Sequence, residues 1–600
     1  MHNSEILDFA VLTIFRHSFC KIQSMKKILS AIAACGFLLS SCDNMSGFFK
    51  NETDVADSAN AQVDYVSTRD MSITPENAYS DIFLDSSALE NFISREKVAE
   101  AEAKEIRSFY NSRNYQYAWF SSEGLTEQGR NFWNIYDSNI DTVKVKINKQ
   151  LDQQMDSLLT NDSLMIQNGD SAYAKTELQI TREFVRYARN NKDMSQHIYA
   201  MVPVKKTDPM QLTDSFLNKM KDTSHFSGNR RVTALRSQLS RYNDIAKKGG
   251  WQPITLGAKQ IRKGTTSPAV TSIKRRLQAS GDYMANDTTA QFNDSLEVAI
   301  RSYQERHGFK PDGVVTDSLV HTMNIPVEVR MQQILMNMNR MIWSPVNQNH
   351  DQLIEVNIPA FMLHVYENNQ KAFDMNVVVG KEGSNTTMFT GNLNQIVFSP
   401  YWNIPASIVK NEIMPALKKD PNYLKKKNME IVKQQGDVPQ IRQLPGNDNS
   451  LGKVKFLFPN SFDIYFHDTP AKGLFNQANR AYSHGCIRLE DAQKMAQYLL
   501  RNQSEWTPEK IQEAMNSNKE QYVKLQKPVP VVINYFTAWA DENGQMHFRN
   551  DIYKHDEKTA RRMFTGNTAN HLAQHNAVTN QKDSANQLRN DSGKRKVTKP

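Results

Sequence analysis

Leu353-Ile354-Glu355-Val356-Asn357-Ile358 is read with a side-chain period of two, and Phe361 to Tyr366 and Phe373 to Val379 follow it in the same manner. That period places successive side chains on opposite faces of an extended chain, so these runs predict strands. Asn368-Asn369 reads as the turn between the second and third, and Gly380 ends the third. Strands are predicted again at Gln395 to Phe398, Val454 to Phe458, Asp463 to Phe466 and Val529 to Phe536. A Lys-rich stretch at 407–433 with a helical pattern interrupts them. Residues 352–557 therefore predict a β-rich domain with attached helices, of α+β class.

Upstream the period changes. Residues 81–254 are polar and helical in pattern, with aromatics such as Trp119, Phe132, Trp133 and Tyr136 at spacings that mark a core rather than a ligand site. In 255–325, Val270, Ile273 and Leu277 share one helix face, and Leu296, Ala299, Ile300 and Tyr303 share another. Gly308 stops the second helix, Pro311-Asp312-Gly313 turns, and Thr316 is placed to cap a third helix that contains Leu319. Residues 326–351 predict a connecting helix, with Met331, Ile334, Leu335, Met338 and Ile342 along one side.

The first 24 residues read as an upstream segment that is not part of the product. Met25 then opens an export signal over 25–41: Lys26 and Lys27, followed by an apolar stretch from Ile28 to Leu39, too short to span a bilayer. It ends at Leu39-Ser40-Ser41-Cys42, a pattern similar to a bacterial lipobox, in which Cys42 carries the lipid and anchors the chain to a membrane. Residues 42–80 are polar and aperiodic and predict a flexible tether, and 558–600 predict a disordered tail. The formal charge of +9 is compatible with an anionic wall polymer. No nucleic-acid motif, phosphate-binding loop or metal-ligand spacing occurs, and no later segment is apolar enough to span a membrane.

Of the four cysteines, Cys20, Cys35 and Cys42 lie before, in or at the end of the signal. Cys486 is the thiol left in the mature chain, and an oxidisable lone thiol in an exported protein points to chemistry rather than packing. It stands in Ser483-His484-Gly485-Cys486-Ile487-Arg488-Leu489, and His467, at the end of a predicted strand, lies nineteen residues before it. A free thiol is only a few per cent ionised near neutrality, so a neighbouring imidazole is what such a nucleophile needs.

Fifteen residues separate His467 from Ser483-His484-Gly485-Cys486. The chain also carries Pro400-Tyr401-Trp402-Asn403-Ile404-Pro405, Leu451-Gly452-Lys453-Val454-Lys455-Phe456, Phe458-Pro459-Asn460, His467-Asp468-Thr469-Pro470 and Tyr535-Phe536-Thr537-Ala538-Trp539. In these motifs it resembles the L,D-transpeptidases with a YkuD-type catalytic domain, and among them the large YcbB-like subgroup, with a helical scaffold, a peptidoglycan-binding domain and a lid on the catalytic domain. The ordered set in 255–325, including Lys310-Pro311-Asp312-Gly313-Val314-Val315, resembles that small peptidoglycan-binding domain.

The resemblance implies Cys486 as nucleophile and His467 as proton acceptor and donor, acting on a donor tetrapeptide stem and an acceptor stem of peptidoglycan. The product is a 3→3 cross-link formed through a thioester, without cofactor or metal. It further implies carbapenems as covalent inhibitors and a lipoprotein held in the cell envelope, facing the periplasmic space. Backbone N–H groups around Ser483, His484, Gly485 and Cys486 would hold the oxyanion. His484 either shapes the acyl pocket or packs structurally. Arg488 and Arg480 each have two readings, binding a stem carboxylate or donating structural hydrogen bonds. Tyr401, Trp402 and Asn403 line the cleft or its floor, with a core role the alternative for Trp402. One departure is visible: where the family shows Thr-Pro after the third strand, this chain has Thr386-Thr387. Two rival readings share these features, an L,D-carboxypeptidase or endopeptidase using the same pair, and a non-catalytic wall-binding lipoprotein.

Overall fold

A computed structural model describes residues 66–138, 148–160, 164–167, 169–190, 202–219, 229–344, 350–434 and 436–566. The upstream segment, the export signal and Cys42 lie outside the described residues.

Among the described residues, seven helices build the N-terminal part: α1 (Ser86–Arg95), α2 (Glu100–Asn111), α3 (Glu127–Ser138), α4 (Lys149–Thr160), α5 (Ser171–Asn190), α6 (Pro209–Lys219) and α7 (Arg230–Lys247). Trp119, Phe132, Phe184 and Trp133 fill its core, as their helical spacing predicts. Three helices follow, α8 (Pro268–Ser280), α9 (Asp294–Arg306) and α10 (Asp317–Met323), closed around Val270, Ile273, Leu277 and Tyr303. Their ends are capped by side chains: Ser267 accepts from Ala269 N–H, Asn293 from Leu296 N–H and Thr316 from Leu319 N–H. Gly281 ends α8 at φ +73°, a conformation that disfavours any Cβ.

The connecting helix α11 (Val327–Ile342) is buried on nearly every side. Its Arg340 joins three parts of the chain, pairing with Glu127 of α3 and with Asp556 of the helix His555–Met563, while Thr559 binds Glu127. A buried charge left unpaired costs several kcal/mol, so this network fixes the scaffold against the catalytic domain. A bidentate Arg231–Glu355 pair at 2.6 Å ties α7 to the catalytic sheet in the same way.

Nine strands form that sheet: β1 (Gln352–Asn357), β2 (Met362–Glu367), β3 (Gln370–Gly380), β4 (Thr390–Phe398), β5 (Val454–Leu457), β6 (Phe466–His467), β7 (Ala481–Ser483), β8 (Ile487–Leu489) and β9 (Gln521–Asn534). Their order is β7-β3-β8-β6-β5-β4-β9-β1-β2, and β2 pairs back to β3, so the sheet closes on itself. Pairing is mostly antiparallel, but β6 with β8, β7 with β3 and β9 with β1 run parallel. Alternate residues such as Val356, Val365, Val377, Phe456, Phe466 and Ile487 face the core, each burial contributing about 1.5–3 kcal/mol. The domain is α+β, as predicted, and among the described residues no helix is long and apolar enough to cross a membrane.

Three boundaries need correction. The tether predicted to run to residue 80 ends earlier: Ile73, Ala78 and Tyr79 are buried, and Tyr79 N–H donates to the Val204 carbonyl at 3.0 Å. Few apolar residues anchor this stretch, so backbone hydrogen bonds rather than periodicity hold it. The start of the predicted tail, 558–566, is ordered instead, because the helix His555–Met563 buries Thr559, Ala560 and Met563, and Phe564 is buried after it. The lid predicted at 407–433 is longer and only partly helical. Short helical turns from Ala406 to Lys426 lead into a hairpin of Met429–Lys433 and Gln440–Gln443, which pairs with Trp402–Asn403.

Candidate active site

Parallel pairing sets the geometry of the site. Phe466 lies opposite Ile487 and His467 opposite Arg488. Phe466, Ile487 and Leu489 are fully buried in the core, so Tyr465, His467, Cys486 and Arg488 share the other face. The two residues paired by the sequence motif are thus neighbours on adjoining strands. No hydrogen bond joins them; the Cys486 thiol donates to the Asp463 carbonyl at 3.5 Å.

His467 is 4% exposed and its Nδ1 lies 2.5 Å from the Asp468 carbonyl. A carbonyl only accepts, so Nδ1 carries the proton and Nε2 is left with its lone pair, the form a base requires. Burial, then the nearby Arg488 charge, push the imidazole down to about 3, against the opposing pull of the Asp468 carbonyl. Burial pushes the Cys486 thiol up to about 11, with hydrogen bonding from Tyr465 working the other way. Both groups are therefore neutral at pH 7, and the proton moves only when an acyl group gives the thiolate charge somewhere to go.

Asp468 holds this arrangement from behind. Its carboxylate accepts from Lys453 N–H at 3.0 Å and from Lys472 Nζ at 2.7 Å. Gly452, at φ +61°, passes so close that a Cβ would sit 2.4 Å from Asp468 Oδ2. Gly452→Ala should therefore lower stability by about 1–3 kcal/mol and slow acylation of Cys486 by dislodging the Asp468 backbone. A variant with wild-type melting temperature and acylation rate would contradict this role. Asn460 shapes the approach to β6: its Oδ1 accepts from Phe462 and Ile464 N–H, and its Nδ2 donates to the Phe458 and Ile464 carbonyls.

The nucleophile loop is cinched by hydroxyls. Ser483 Oγ accepts from Gly485 N–H at 3.2 Å and donates to the Cys486 carbonyl at 2.6 Å. Gly485 sits at φ +115°, where a side chain is strained. Thr386 Oγ1 donates to the Gly485 carbonyl at 2.7 Å and accepts from Gly380 N–H, binding the loop to the end of β3. These contacts come from Thr386, the position that matches the family's Thr-Pro, so the thiol loop keeps its support despite the departure at Thr387.

The structure revises several predicted roles. Gly485 N–H is occupied by Ser483, whereas the N–H groups of His484 and Cys486 have no acceptor among the described residues and are the available oxyanion donors. Arg480 is a structural donor: its guanidinium binds the Gln477 and Phe361 carbonyls at 3.0 and 3.1 Å. The Arg488 side chain has no hydrogen bond or ion pair among the described residues, and its Nε is buried without a partner. Tyr401 and Asn403 belong to the base of the lid. Arg442 stacks on the Tyr401 ring at 4.1 Å, Asn403 pairs with Arg442 in the lid sheet, and no described contact ties either to Cys486. His484 meets the lid, its Nε2 2.9 Å from Glu412 Oε1.

Sequence reasoning missed Tyr465, Gly452, Asp468, Thr386 and Glu412. Tyr465 was legible from strand alternation with His467; the others act through contacts that no local pattern encodes.

A model of the L,D-transpeptidase catalytic domain matches residues 351–533, one of a scaffold domain matches 104–238, and one of a peptidoglycan binding domain matches 266–323. A Haemophilus influenzae protein named "Putative L,D-transpeptidase" is 34% identical over 243 residues, 38% of this chain and 48% of that relative. The chain thus spans about half the length of the curated relative it matches. Among solved structures, an L,D-transpeptidase from Mycobacterium smegmatis is 13% identical, covering 31% of this chain and 58% of that one, with a TM-score of 0.18. L,D-transpeptidase 3 from Mycobacterium tuberculosis, in complex with a faropenem-derived adduct, is 14% identical, covering 31% and 60%, with a TM-score of 0.17. At these scores the overlays add nothing to the assignment. The chain thus carries a YkuD-type L,D-transpeptidase catalytic domain, preceded by a scaffold domain and a peptidoglycan-binding domain.

Proposed function

We propose that the protein is a peptidoglycan L,D-transpeptidase that forms 3→3 cross-links through a thioester on Cys486. The observation that carries the reading is the face shared by a neutral thiol, a buried imidazole with its Nε2 lone pair free, and an unpaired Arg488.

In this reading the Cys486 sulfur attacks the carbonyl of the third stem residue as its proton passes to His467 Nε2. The Cys486 and His484 N–H groups receive the oxyanion. The C–N bond breaks, His467 returns the proton to the departing amine, and D-alanine leaves. Arg488 fits the carboxylate of the donor stem, since a half-buried guanidinium without a partner favours a bidentate anion. An amine of a second stem then attacks the thioester, forming an amide and restoring the thiol. Strained acyl donors such as carbapenems would label the same sulfur.

Incubation of the protein with disaccharide-tetrapeptide, followed by mass spectrometry, tests this. A cross-linked dimer and released D-alanine support transfer. Tripeptide without dimer replaces the reading with a carboxypeptidase, and no reaction replaces it with a wall-binding protein. The reading places the enzyme in the cell envelope on a lipid at Cys42. Cys42→Ala should move it to the soluble envelope fraction; wild type that takes up no clickable fatty acid would refute the anchor.

A further inference from the structure

The lid reaches the nucleophile loop through one carboxylate. Glu412 lies on a π-helical turn, Val409–Ile413, a geometry often found at functional sites. Val409 and Ile413 are buried in the lid's own core with Ile404, Ile408 and Ile441. With those two side chains anchored, Glu412 projects outward and stands 2.9 Å from His484 Nε2, two residues before Cys486. Both side chains stay open to solvent, 52% exposed for Glu412 and 38% for His484.

Transfer to a stem amine poses a proton problem that one buried imidazole does not solve. The acceptor arrives as an ammonium and must lose a proton before its nitrogen has a lone pair. After attack the nitrogen must lose another, which His467 carries to the sulfur. We propose that Glu412 is the acceptor-side residue: its carboxylate binds the incoming ammonium beside Cys486, and the Glu412–His484 pair takes the first proton and passes it to solvent. The step balances: ammonium plus thioester gives amide, thiol and one proton, with a C–N bond formed and a C–S bond broken. Water needs no such carboxylate, so Glu412 favours aminolysis over hydrolysis. This rests on the transpeptidase reading above.

The test compares the full chain with Glu412→Gln, Glu412→Asp and, as a control at an exposed lid site away from His484, Lys418→Ala, using disaccharide-tetrapeptide as donor and acceptor. Glu412→Gln should lower the dimer-to-tripeptide ratio about tenfold, the scale of one charge-assisted hydrogen bond, and raise the acceptor KM. Glu412→Asp should recover much of the ratio, and Lys418→Ala should keep it. An unchanged ratio and KM in Glu412→Gln would overturn the proposal. So would an equal slowing of D-alanine release and dimer formation, which would make the pair a lid latch only. Wild type that releases no D-alanine sinks the transpeptidase reading itself, and this proposal with it.

Discussion

Cys486→Ala should leave no measurable D-alanine release, cross-linking or β-lactam labelling. The free thiol of the described residues lies on the face shared with His467 and Arg488, and no other side chain there can form a thioester. The fold should survive. Cys486 is only partly buried, its thiol makes one weak contact at 3.5 Å to a backbone carbonyl, and the loop is held by Ser483 and Thr386 instead. Truncating a partly buried side chain with so few contacts should cost about 1 kcal/mol or less. The thermal transition of the variant should therefore stay near wild type. β-lactam labelling that persisted in Cys486→Ala would move the nucleophile elsewhere.

His467→Ala should slow acylation by about 10²–10⁴, the usual worth of a positioned general base. Its pH profile separates this role from that of an exposed histidine. An ordinary imidazole protonates near 6.5, but burial holds His467 down at about 3. A base with a lowered pKa stays neutral, and active, as pH falls through 6.5, and is lost only on approach to its folded value. The wild-type acylation rate should then be level from pH 8 to pH 5. It should climb at high pH as the thiol, pushed up to about 11, begins to ionise. A rate that halves near pH 6.5 would assign the base to another group.

Much of this was legible in the chain because the signals were local. Alternation from Leu353 to Val379 encodes two faces of a sheet, and β1 to β3 follow it closely. Thr316 and Gly308 mark helix ends through their own conformational preferences. The cysteine motif and His467 were legible as chemistry, and parallel pairing of β6 with β8 explains why their separation in sequence brings them side by side. What stayed hidden depends on tertiary contact. Arg480 and Arg488 are indistinguishable as residues; one is occupied by the Phe361 and Gln477 carbonyls and the other is not. Gly452 stood in a quoted motif, but its need for a bare Cα comes from Asp468, sixteen positions on, folding back against it. The lid's hairpin, which pairs with Asn403 and stacks Arg442 on Tyr401, has too little alternation to announce itself. The stretch 66–80 has no periodicity because scattered polar contacts, such as Asn114 Nδ2 to the Ile73 carbonyl and Tyr79 N–H to the Val204 carbonyl, hold it in place of an apolar face.

The most direct test is to mix the protein with tetrapeptide donor in the absence of acceptor amine, quench in acid, and measure intact and peptide mass. The account predicts an adduct equal to the acyl tripeptide on the fragment containing Cys486, lost with hydroxylamine as a thioester should be. D-alanine released with no adduct at Cys486, or an adduct on another residue, would contradict it.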